Sequence, residues 1–85
     1  MARTIHLCRL VDVTGVFEPG KDPLNHLLRP ALSALPGVAM WSSAIDTDNR
    51  PHVTVPEVRP DRIPPIEAVF RAHGATRVDV VDSRG

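Results

Sequence analysis

The sequence predicts an α+β domain in the order strand, helix, strand, strand, helix, strand. Three observations carry this. Apolar residues recur at helical spacing in just two segments, and the other apolar segments alternate or lack that spacing. Turn-forming Pro, Gly, Asn and Asp separate the segments from one another. Two helices this short cannot bury their stripes against each other alone, so a sheet must cover them.

Thr4 to Val13 carries Ile5, Leu7, Leu10, Val11 and Val13 without helical spacing and reads as the first strand, stopped by Gly15. The polar stretch from Val16 through Phe17, Glu18, Pro19, Gly20 and Lys21 to Asp22 is a loop. Asp22 then supplies an N-cap acceptor, and Pro23 occupies the first helical position, where its missing N–H is harmless. Leu24, Leu27, Leu28, Ala31 and Leu35 form one stripe, with Pro30 expected to kink or shorten the helix and Pro36-Gly37 to end it. Val38 to Ile45 is the second strand, Asp46 to Pro51 a turn, and His52 to Val55 the third strand, closing a hairpin. Pro56, Pro60, Pro64 and Pro65 carry the chain into a second helix whose stripe is Ile63, Ile66, Val69, Phe70 and His73, capped by Gly74. Thr76 to Val81 is the last strand. Right-handed crossovers place the first and third strands at the centre of a four-stranded antiparallel sheet with both helices on one face, the ferredoxin-like βαββαβ arrangement.

At 85 residues the chain makes one small domain spanning 1–85. Hydrophobic residues at 42% and charged residues at 24% are globular proportions and argue against a disordered chain. Ten basic residues balance ten acidic ones, so no net field is present to hold nucleic acid or an anionic membrane. With no Tyr, two Phe and one Trp, a base-stacking platform is thin as well. No apolar run approaches the roughly 18 residues of a membrane span, and the first residues lack a signal-peptide core. A single cysteine forms no internal disulfide, and the expected compartment is the cytoplasm.

A helix ending in Leu35-Pro36-Gly37-Val38, a hairpin ending in Val53-Thr54-Val55 and a second helix ending in His73-Gly74 resemble the heavy-metal-associated domain of copper chaperones and metal-pumping ATPases. The segment Val11-Asp12-Val13-Thr14-Gly15-Val16 is similar to that family's approach to its metal loop. In the family a Cys-x-x-Cys pair grips a soft metal ion where loop meets helix. Counted back from Leu35-Pro36-Gly37-Val38, those places fall on Lys21 and Leu24, and the loop after Gly15 is about three residues longer than the usual pattern. Selectivity for Cu(I) rests on sulfur ligands, so the resemblance implies the scaffold without the metal transport.

Glu18, Asp22 and His26 are the nearest substitute donors for a metal. His26 lies about 200° from Leu24 around the helix at ~100° per residue, facing solvent, and Asp22 is already the cap. Weak binding through scattered N and O donors is the most this set offers, and no resident metal or cofactor is expected. His73 near a helix C-terminus reads as a cap for the last carbonyls, with no nucleophile beside it. Cys8 shares strand parity with His6, Leu10 and Asp12 and is expected on the helix-free side unless a bulge within Leu10-Val11 reverses the first half of the strand, and in regular geometry Arg9 points away and does not activate the thiol. Antiparallel first and third strands suggest a hydrogen bond between Asp12 and His52. A phosphate site before the first helix fails for want of a Gly-x-x-x-x-Gly-Lys-Ser/Thr string, and because Asp22 repels an anion.

The expected function is therefore a non-catalytic binding module. It would act through the loop residues Phe17, Glu18, Lys21, Asp22 and His26, or through an open sheet face carrying His6, Cys8, Leu10, Asp12, Met40, Ala44, His52 and Thr54. The expected partner is a protein or a second copy in a homodimer, with a small-molecule ligand as the other class. Two alternatives share the element order. One is an ACT-like sensing module using the glycine turn at Gly15, and the other a small dimeric enzyme with Asp12, His52 or Cys8 between facing sheets.

Overall fold

The computed structural model describes residues 10–20, 28–38 and 40–83. Strand β1 is Val11–Val16, helix α1 Leu28–Ser33, β2 Ser42–Ile45, β3 Pro51–Val58, helix α2 Ile63–Ala72 and β4 Arg77–Asp82, with a 3-10 turn at Pro60–Arg62 leading into α2. The fold is α+β. All neighbouring strands are antiparallel, and the four lie in the order β2-β3-β1-β4. The first half of the expected first strand, the cap at Asp22-Pro23, Leu24, Leu27 and the tail at Arg84-Gly85 lie outside the described residues.

One core unites sheet and helices. Val13, Val53, Val55 and Val58 from the central strands meet Leu28 and Leu32 of α1 and Ile66 and Phe70 of α2, with Phe17 among them. Alternation along β1 and β3 sends Val13, Gly15, Val53 and Val55 to this face and Asp12, Thr14, His52 and Thr54 to the other. The α2 stripe buries Ile66 and Phe70 fully, with Ile63 and Val69 packed at its margin. Pro30 lies inside α1, where its carbonyl accepts the Ala34 N–H at 3.0 Å, so helical bonding continues past the proline.

Gly15 does not end the strand. It sits in the middle of the ladder, opposite Val53 on one side and Val78 on the other. A Cβ built there would lie 2.7 Å from Cγ of Phe70. Glycine is thus required for the approach of α2 to the sheet rather than for a turn. Strand β1 consequently runs three residues beyond Val13, and the loop begins only after Val16.

Pro56 also lies within a strand rather than beyond one. Asp46 donates its N–H to the Arg50 carbonyl (3.1 Å), which in this register turns the backbone groups of His52 and Thr54 toward β2. Position 56 points the same way, past Ser42, the last paired residue of β2, where a missing N–H costs the ladder nothing. Pro56 and Glu57 together oppose Asp12, a bulge between the Val13–Val55 and Val11–Val58 pairs. Glu57 takes φ of +54° there.

At the end of α2, Gly74 takes φ of +99°. Its N–H reaches the Arg71 carbonyl (3.1 Å), and the Ala75 N–H reaches that of Phe70 (3.0 Å). This Schellman pair satisfies two end carbonyls and returns Ala75 to the core margin. The His73 ring adds a third contact, Nδ1 lying 2.9 Å from the Val69 carbonyl oxygen.

Candidate functional site

The sheet face opposite the helices is organised in transverse rows set by register. Ser42 of β2 lies beside Thr54 of β3, Thr54 beside Thr14 of β1, and Thr14 beside Asp79 of β4. A polar row therefore crosses all four strands. Its centre is a hydroxyl–hydroxyl hydrogen bond, Thr14 Oγ1 to Thr54 Oγ1, at 2.9 Å. At its β4 end Arg77 Nε donates to both oxygens of Asp79, at 3.0 and 3.1 Å. Each hydroxyl keeps acceptor capacity beyond the shared bond, and Ser42 is exposed at the row's other end.

The adjoining row runs Ala44, His52, Val16 and Arg77. Val16 in this row is 1% exposed. His52 turns to the hairpin: its Nε2 lies 2.7 Å from Asp46 Oδ2. The other carboxylate oxygen of Asp46 accepts the backbone N–H of Asp48 (2.8 Å) and of Arg50 (3.0 Å). The Arg50 N–H, and after it the His52 ring, hold the Asp46 carboxyl below the usual carboxylate range. Asn49 takes φ of +62°, completing the turn.

The expected Asp12–His52 pair does not form. Because β1 extends to Val16, it is Val16 that lies opposite His52, and Asp12 falls at the far end of the sheet. There Asp12 Oδ1 accepts the Glu57 N–H at 3.1 Å and the Ser83 hydroxyl at 2.7 Å. One carboxylate thus supports the bulge in β3 and the end of β4 together. A catalytic reading built on Asp12 and His52 acting as a pair has no geometry behind it.

The loop ahead of α1 gives a different result from the one its composition suggests. Phe17 is 1% exposed and meets Phe70 edge to face, ring centroids 6.2 Å apart at 80°, so it serves the core. Its N–H continues the β1–β3 ladder to the Pro51 carbonyl at 2.9 Å, which keeps the inward parity of Val13 and Gly15. Glu18 is exposed. Lys21, Asp22 and His26 lie outside the described residues, as do His6 and Cys8. Leu10 is half-buried beside the start of β1, and Met40 stands 63% exposed ahead of β2. Among the described residues no three His, Cys, Asp or Glu side chains gather as a metal ion would require, and no helix is long and apolar enough to cross a membrane.

Sequence reasoning missed Asp46, Asp79 and Arg77. Asp46 had a local signal, an Asx turn two residues before Asp48 in a hairpin loop. Asp79 came beside Thr14, and Arg77 beside Val16, only through the register of β4 on β1. Compared with known proteins, the chain matches no family model, no curated protein and no solved structure.

Proposed function

We propose that the chain is a cytoplasmic, non-catalytic ferredoxin-like module, similar in scaffold to heavy-metal-associated domains, that binds a protein partner or small ligand on its helix-free sheet face. The observation that carries this reading is the row Ser42–Thr54–Thr14–Asp79, which collects hydroxyls and a carboxylate on the face the helices leave uncovered. The metal-loop positions support the same reading from the other side, since Lys21 and Leu24 supply no thiolate. The single cysteine is in keeping with a reducing compartment.

A photo-crosslinking residue placed at Thr54, and in a second protein at exposed Ala68 on α2, tests the assignment in cells. Adducts from position 54 that disappear on adding Ser42→Arg, with none from position 68, are expected. Adducts from position 68 alone would contradict it, and none from 54 would strike out the protein partner.

A further inference from the structure

The outer edge of β4 is, among the described residues, an unpaired edge of the sheet, distinct from the sheet face. Ser83 donates its N–H to the Leu10 carbonyl (3.1 Å), which fixes the alternation along the β1–β4 pair. Residues 77, 79 and 81 then direct their backbone groups to β1, and Val78 and Val80 direct theirs outward. Among the described residues no strand lies on that side. The strand is six residues long, pairs with β1 without any bulge and contains no proline. Val80 and Val81 are 47% and 56% exposed at its middle. It carries no bulge, proline or lysine, three of the devices that blunt an edge, while Arg77, Asp79 and Asp82 place charge on half of its residues. The opposite edge, β2, has four residues and ends in the Asp46 turn.

We infer that β4 pairs with β4 of a second copy, antiparallel about a two-fold axis at Val80, joining two sheets into one of eight strands. A second copy fits because this register is compatible with itself. It sets the outward N–H and C=O of Val80 against those of Val80 in the other chain and overlaps the strand from Val78 to Asp82, with Arg77 facing Ser83. Asp79 then faces Val81 of the second copy and Val80 faces Val80, so no like charges stand opposite. Shifting the axis to Asp79 would place the two Asp79 carboxylates directly across from each other, an unfavourable arrangement. Such a contact is isologous and closes at two chains.

The edge geometry supplies its own test. Val80→Pro removes an N–H that β1 does not use, so the fold should survive while pairing is lost; Val81→Pro removes a ladder donor and should damage the fold itself. Sedimentation or light scattering is expected to give a doubled mass for the wild type and for Thr54→Arg, and the single-chain mass for Val80→Pro with unchanged circular dichroism. Hydrogen exchange needs no variant: the Val80 amide should slow as concentration rises, with Val81 protected throughout. A wild type at single-chain mass up to millimolar concentration, a Val80→Pro protein still of doubled mass, or a Val80 amide indifferent to concentration would each overturn the inference. So would loss of the doubled mass in Thr54→Arg, which would move the contact to the sheet face.

Discussion

Gly15 is a residue whose role rests on a single distance. With the Phe70 ring occupying the space of its Cβ, Gly15→Ala must push α2 outward or twist the ring. We expect a loss of about 1–3 kcal/mol in urea unfolding, the range for overpacked sites. Gly15→Ala combined with Phe70→Leu should recover part of that loss, because the two changes act in one space. Asp46 carries a pH dependence. Its folded pKa lies below that of the unfolded chain, so its contribution is complete above about pH 4, the ordinary Asp range, and disappears as pH falls through the lower folded value. Asp46→Asn should therefore be less stable than wild type at neutral pH. Its thermal midpoint should also lose part of the wild-type drop below pH 4. Equal acid profiles for the two proteins would show that the turn carboxylate adds nothing.

At the scale of elements, the bulge in β3 depends on Asp12. Removing its carboxylate frees the Glu57 N–H and the Ser83 hydroxyl together, and Asp12→Ala should cost about 1–2 kcal/mol. Faster amide exchange at Glu57 and Ser83, with α2 unaffected, would place the damage there. The C-terminus of α2 offers a contrast: Gly74→Ala forces a Cβ into the left-handed region and should cost about 1–2 kcal/mol. The two helices, four strands and most of the α2 stripe were legible because their periodicity is local, as is the cap at Gly74; the expected Asp22-Pro23 cap lies outside the described residues. Strand ends were not. Gly15 and Pro56 carry the usual stop signals, yet each is tolerated inside a strand for a reason that lies elsewhere in the chain: Phe70 in one case, the short reach of β2 in the other. That misplaced end explains why Asp12 was expected opposite His52. Two or three residues of strand length decide which end of the sheet a side chain occupies.

For the molecule as a whole, the face parity of Asp12, His52 and Thr54 could be read from alternation, but the polar row could not. It exists only once the register between β1 and β4 is known, which sets Asp79 opposite Thr14. Phe17 shows the opposite failure, a residue in a polar loop that the ladder turns inward to complete the core. What remains is a small α+β body whose packing residues lie on one side of the sheet and whose aligned hydroxyls lie on the other. The proposed likeness of scaffold to heavy-metal-associated domains then makes a sharp demand on chemistry, since one thiol cannot reproduce a pair. Competition between the reduced protein and a chromogenic Cu(I) chelator addresses that demand most directly. The account predicts that the chelator keeps its copper and that Cys8→Ser changes nothing. Withdrawal of one equivalent of copper per chain would mean a metal carrier stands here after all.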